Sequence, residues 1–317
     1  MLSKKSLLAV TFFLFSFISF SLTWDEPWQE EILQKSDYFI LGKVVDARSG
    51  SVKIKVLRQF GEKKTESEIM LEGFHMLNIC SRTDSENVSF YFDMIDSVYL
   101  FLKKTEIGYC LPTPTSGFAI VTNGKVLSTF RHSYHQAHLN ITTYENCMRY
   151  IWACCKNSAK DEKFFKQFIE SNLSKKPAGF SEKEIDLFFK QHAALEILFH
   201  SRDENYFNLI TPFLNCSNNH LVISAVRCLG NIKTKESIKF LLDIIANESR
   251  DNFTKSLAVL SLKKLNPSSE KKLLAELIKT ASDTEVGFGG NLMDPRVCTS
   301  LPSVKSALED LVAVLKD

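Results

Sequence analysis

The chain is 317 residues long, 44% hydrophobic and 24% charged, with 8 prolines, a composition that excludes a disordered or collagen-like chain and implies packed domains. At about 100 to 200 residues per domain, the length corresponds to about two of them. Lys plus Arg number 39 against 37 Asp plus Glu; setting aside Lys4 and Lys5, which lie in a leader-like segment, leaves 37 against 37, without the electrostatic footprint of general nucleic-acid or anionic-membrane binding.

Residues 1–21 have the layout of a secretory signal peptide. Lys4 and Lys5 form a positive n-region, Leu7 to Phe20 is apolar with only small hydroxyls inside it, and Ser19 and Ser21 are the small residues of a cleavage site after Ser21. The stretch Leu7 to Leu22 approaches the lower length limit of a membrane span, so an uncleaved anchor is the competing reading. Secretion or passage into a periplasm is expected, with no stable membrane insertion after cleavage. Export into an oxidising compartment would permit disulfides among Cys80, Cys110, Cys147, Cys154, Cys155, Cys216, Cys228 and Cys298. No CxxC pair occurs, which argues against a thioredoxin-like motif or a zinc knuckle. Asn-x-Ser/Thr sequons stand at Asn87, Asn140, Asn172, Asn215, Asn247 and Asn252, and would lie on the surface if they are glycosylated.

Residues 22–135 read as a β domain. Tyr38 to Val45 is β-rich, with Gly42 marking a bend or a close backbone approach; Val52-Lys-Ile-Lys-Val56 alternates apolar and basic residues; Glu68 to Leu71 and Asp96 to Lys103 are further strands. Phe118 to Val126 holds an Asn-Gly pair between two strands, a hairpin signal. Short strands at this spacing predict a small antiparallel barrel or sandwich. Lys53, Lys55, Arg58 and Phe60 mix basic and aromatic character, but a charged solvent-facing side explains them better than nucleic-acid binding.

Lys35-Ser-Asp-Tyr-Phe-Ile-Leu-Gly-Lys-Val-Val and the later Tyr99-Leu-Phe-Leu-Lys-Lys, followed by Cys110, resemble strands of secreted OB-fold domains of the tissue-inhibitor-of-metalloproteinases and netrin type. The resemblance covers about 100 residues and implies an OB/netrin-like barrel with a Cys80–Cys110 disulfide. Those inhibitors reach an enzyme's zinc through a cysteine at the mature N-terminus. Here the first cysteine after the leader is Cys80, so the resemblance carries over the fold and not that mechanism.

Residues 136–180 read as a helical connector. Just before it, His132, His135 and His138 are spaced by three, which on a helix places them on roughly one side. Three imidazoles suffice to hold zinc with an open fourth position, although no HExxH motif or neighbouring base accompanies them; histidines on an exposed loop or helix start account for the same pattern. Helices are predicted over Ile141 to Cys155 and Asp161 to Leu173, with Cys154 or Cys155 able to reach Cys147 or a more distant cysteine. Ser181 and Glu184 form a capping box for the next helix.

Residues 181–317 are helical and repetitive. The stretch from Val226 to Ile245 superposes on Leu262 to Ile278 at an offset of 33, placing Leu241 on Leu274, and at an offset of 32 Leu241 falls back on Leu209. Each copy is a helix, a break and a second helix, a unit that buries its apolar face by stacking. Ala225-Val-Arg-Cys-Leu-Gly-Asn-Ile resembles the second-helix ending of HEAT repeats, which implies that Arg227 stabilises the stack by pairing with a neighbour. Residues 281–302 read as an irregular loop carrying Cys298, followed by a terminal helix from Ser303 to Leu315. The GxSxG, HExxH, Walker A and dinucleotide fingerprints are absent.

The expectation is a two-domain exported protein, an OB/netrin-like β-barrel followed by a HEAT-like α-solenoid, that binds another protein or peptide without catalysis and without a cofactor. The alternative is a metal-binding or protease-inhibitor-like β domain, with zinc on His132, His135 and His138.

Overall fold

A computed structural model of the chain describes residues 27–48, 50–74, 77–79, 88–90, 97–113, 116–129, 136–288 and 299–316. The leader, Cys80, His132, His135 and Cys298 lie outside them. Helix α1 (Gln29–Lys35) precedes strands β1 (Tyr38–Arg48), β2 (Gly50–Gln59) and β3 (Glu68–Phe74), and a separate hairpin pairs β4 (Leu77–Ile79) with β5 (Val88–Phe90). Then follow β6 (Ser97–Lys104), β7 (Tyr109–Cys110), β8 (Phe118–Thr122), β9 (Lys125–Thr129) and β10 (Gln136–Asn140).

The strand order β1-β2-β3-β7-β6 returns to β1, so five strands close a barrel, and β8, β9 and β10 extend the sheet outward from β6. The barrel is mixed, which corrects the expectation of an antiparallel one: β3 and β7 run parallel. The reason is topological. A ring with an odd number of strands cannot alternate direction all the way round, so one seam must be parallel. The Asn-Gly hairpin forms as expected between β8 and β9, with Asn123 and Gly124 both at positive φ, 50° and 74°.

Side chains alternate along these strands, and on β1 and β6 both faces are largely buried. Ile40, Val44, Ile54, Leu71, Val98 and Leu100 fill the barrel, while Phe39, Leu41, Tyr99 and Phe101 face outward into a second, larger core shared with the helices. Two-sided burial explains why β1 and β6 read as continuous apolar runs rather than alternating ones. Gly42 answers to a close approach, since a Cβ there would stand 2.3 Å from Cγ2 of Ile54. Next to it the pairing passes from Leu41 opposite Arg58 to Gly42 opposite Val56, leaving Leu57 as a bulge in β2. The extra residue reverses the alternation, so Arg58 and Phe60 turn out of the barrel toward the helices.

The helical part comprises α2 (Ile141–Lys156), α3 (Glu162–Leu173), α4 (Ile185–Ser201), a short α5 (Phe207–Ile210) between two 3₁₀ turns, α6 (Asn219–Leu229), α7 (Lys235–Ala246), α8 (Asn252–Leu265), α9 (Lys271–Ile278) and α10 (Val304–Val314). Asn140 ends the sheet and also caps α2, its Oδ1 accepting from the amide of Thr143 at 2.8 Å. Ser181 does not cap its helix in the expected way; its hydroxyl donates to Glu184 at 2.5 Å, and α4 starts at Ile185. Helices α4, α6, α8 and α10 pack in succession. Hydrogen bonds between them recur near the repeat length: Cys228 to the Leu195 carbonyl, 33 positions back, and Asn231 to the Phe199 carbonyl, 32 back. Leu241 and Leu274, equivalent in the repeat, are both fully buried. Residues 281–302, expected to be irregular, contain a two-stranded ribbon of β11 (Val286–Phe288) and β12 (Thr299–Leu301).

The disulfide expectation is overturned. Among the described residues Cys110, Cys147, Cys154, Cys155, Cys216 and Cys228 are all free; Cys80, the partner implied for Cys110, lies outside them. Geometry gives the reason within α2: Cys147 and Cys154 lie seven residues apart on one helix, about 10 Å at its rise per residue, beyond disulfide reach. Elsewhere the thiols serve as local donors, Cys228 to Leu195 and Cys216 to the Phe213 carbonyl at 3.3 Å. Among the described residues no helix is long and apolar enough to cross a membrane.

Candidate functional site

Where the two parts meet, α1, the C-terminal ends of α2 and α4, and one face of α8 enclose a cleft of about 660 Å³, within the range of ligand pockets. Glu30 and Gln34 line it from α1, Cys154 and Cys155 from α2, Phe199 and His200 from α4, and Lys264 from α8, with Asn157, Lys160, Arg202 and Asn231 from the adjoining turns. The ends of α2 and α4 are closed by residues with left-handed backbones, Asn157 at φ 53° and Arg202 at φ 58°. Asparagine adopts this conformation readily; arginine does so at a cost.

Beneath the cleft runs a buried line of polar groups. The Arg227 guanidinium donates to Glu196 Oε2 and to Glu30 Oε2, each at 3.0 Å, and stacks over Phe199 at 4.0 Å and Trp28 at 5.3 Å. The other oxygen of Glu196 stands 3.3 Å from His200 Nε2, and His200 Nδ1 is 3.6 Å from Cys155 Sγ. The Glu196 side chain is 1% exposed, that of His200 4% and that of Arg227 5%. Burial raises the Glu30 carboxyl, but Arg227, with further help from its surroundings, outweighs that and holds it below its ordinary value.

Thiol, imidazole and carboxylate in this order make the sequence of a nucleophilic triad. Two features oppose that use. Burial, and after it the neighbouring Cys154, push the Cys155 thiol up to about 12, so at neutral pH it is protonated and a poor nucleophile. Cys155 also sits in the last turn of α2, where the helix dipole disfavours a thiolate. A thiol held protonated by burial does not supply the nucleophile that the order of the groups suggests.

Of the residues singled out in the sequence, Arg227 pairs with a neighbour one repeat back, as the repeat resemblance implies. His138 lies in strand β10, so the helical spacing that would gather three imidazoles does not apply to it; its ring stacks on Phe189 at 5.5 Å, and burial, then Lys125, lower its pKa. No cluster of three or more His, Cys, Asp or Glu suited to a metal ion occurs among the described residues. Cys110 is a β7 thiol raised by burial. Glu196, His200, Cys155, Arg202 and Lys264 carry no local motif. The repeat resemblance implied a neighbour for Arg227 without naming Glu196, and nothing linked Arg227 to Glu30, 197 positions away.

No protein-family model, curated protein or solved structure matches the chain.

Proposed function

We propose that the chain is an exported protein, secreted or periplasmic, that recognises another protein or peptide through the junction of an OB/netrin-like barrel with HEAT-like helical repeats. The barrel assignment rests on the ring order with a single parallel seam and on the glycine and bulge in its first hairpin. The repeat assignment rests on polar contacts recurring about one repeat length apart.

The observation that carries the functional reading is the cleft. Its walls come from α1, from the helices after the barrel and from the repeats, and its only thiol–imidazole contact holds a protonated thiol. A site assembled from several parts of the chain and lacking an activated nucleophile favours binding over turnover. The test is expression of the full chain in a host that exports it, with N-terminal sequencing, cross-linking and metal quantification. A mature chain beginning near Leu22, with a stable protein complex and no zinc, supports the proposal. A chain that keeps its first residues inside the cell, or stoichiometric zinc lost on His135→Ala, defeats it.

A further inference from the structure

The cleft has a pronounced charge imbalance. Glu30 is the one carboxylate lining it, and Arg227 already engages that group. Lys160, Arg202 and Lys264 also line it, with no salt bridge to a described residue, and the Lys264 ammonium lies 4.8 Å from the centre of the Phe199 ring. Burial lowers Lys264, and Arg227 and Arg202 push it the same way while Glu30 and Glu196 pull against them; Lys160 and Arg202 both reach Cys154, whose thiol burial raises. Such clustering raises the energy of the empty cleft, and an anion placed between the cations relieves it.

Arg202 adds a second, independent sign. It closes α4 in a left-handed conformation that costs an arginine about 1 kcal/mol or more, while the chain uses asparagine at the two comparable helix ends, Asn157 and Asn266. A strained residue whose side chain lines a cavity points to a role there beyond capping.

On the far side of Glu30 and Lys264 a second cavity of about 400 Å³ adjoins the first, lined by Trp28, Leu257, Leu260 and Lys263. Sharing those two residues, the cavities make one groove with cations along it and an apolar floor of Trp28, Leu257 and Leu260 at its second end, beside Arg227 and Lys263. We infer that this groove binds an acidic segment of a partner protein, with an Asp or Glu side chain among Lys160, Arg202 and Lys264 and a neighbouring apolar side chain against Trp28, Leu257 and Leu260. This deepens the protein-recognition reading and rests on it. The apolar end is a short ledge on α8 interrupted by Ser261 and Lys263, which matches one or two side chains rather than a lipid tail.

The test pans random phage-displayed dodecapeptides on the full immobilised chain and titrates the selected peptides by fluorescence anisotropy. Selected sequences should be enriched in Asp or Glu beside an aliphatic or aromatic residue. Lys160→Gln, Arg202→Asn and Lys264→Gln should each weaken them about five-fold, and the triple variant about a hundred-fold, as exposed charge contacts allow. Arg202→Asn should keep or raise the melting temperature, which separates lost recognition from lost folding. The inference is overturned if no acidic sequences are enriched, if they bind the triple variant as well as the parent, or if dodecanoate displaces them and binds more tightly. A protein partner retained equally by the triple variant sinks this site and leaves the broader reading standing; acidic peptides bound here without any protein partner do the reverse.

Discussion

The barrel and the helical region handle buried polarity differently. Among the described residues the barrel interior is filled by aliphatic and aromatic side chains, its polar groups confined to the rim, where the Tyr109 hydroxyl donates to Glu66 at 2.6 Å. The helical region takes charged and polar groups inside, with Glu196, Arg227 and the neutral His192 all 5% exposed or less. A closed ring of strands is registered by its own backbone pairing. A stack of helices has no such constraint, and neighbouring hairpins slide unless something fixes them. The polar links near the repeat spacing, Arg227 to Glu196, Cys228 to Leu195 and Asn231 to Phe199, provide that registration.

The most severe way to break the contrast is Arg227→Ala. It leaves Glu196 buried without its cation and frees Glu30 of α1, and loss of one partner of a buried pair costs about 3 to 5 kcal/mol. Urea unfolding should show that loss, and the double variant Arg227→Met with Glu196→Leu should regain most of it. A single variant as stable as the parent would remove registration as the role of the pair.

Acid probes the same polar interior. Burial lowers His220 to about 4 from its ordinary 6.5, and burial, then His220 and Arg227, hold His192 well below its ordinary value. Both imidazoles are neutral in the fold and take up protons when it opens. Their contribution is therefore intact above about pH 6.5 and is lost as pH falls toward 4. His220 alone accounts for about 3 kcal/mol across that window, and His220→Gln should flatten the pH dependence of the unfolding free energy from urea titrations by about that much. An unchanged slope would show that the ring titrates freely.

In the barrel the sensitive position is steric. Gly42→Ala drives a methyl into Ile54 at 2.3 Å and should cost about 2 kcal/mol. Combining it with Ile54→Ala should cost less than the sum of the two single changes, because the shortened side chain makes room for the new methyl. Strict additivity would mean that the glycine serves only the bend.

How much of this was legible depends on whether a feature is periodic. Four of the five barrel strands, the Asn-Gly turn and the repeat offset follow from local patterns, and Gly42 was marked by its place inside a strand; β7, two residues long, has no run in which a period can show. The parallel seam was not legible, because it arises only when the ring closes. The direction of Arg58 was not legible either: it depends on one bulged residue, Leu57, which the alternation of Val52 to Val56 does not announce. The eight cysteines permitted disulfides, yet Cys147, Cys155 and Cys228 each find their own surroundings and stay free. The cleft was least visible, since Glu30, Cys155, His200 and Lys264 meet only through tertiary packing.

The smallest effect is expected where the two regions join. Arg58 forms a two-pronged ion pair with Glu145 of α2, which also accepts from the Tyr99 hydroxyl at 2.5 Å. The Arg58 side chain is 50% exposed, against 5% for Arg227, so solvent and salt screen it. Arg58→Met should therefore cost about 1 kcal/mol, because Glu145 keeps its tyrosine partner and half of the lost contact is returned to water. In 1 M salt the difference from the parent should nearly vanish, whereas the Arg227→Ala loss should persist. Urea titrations of both variants at low and high salt measure this directly. If the Arg58 loss also survives high salt, the barrel–helix junction is registered by buried charge just as the repeats are, and the contrast between the two regions fails.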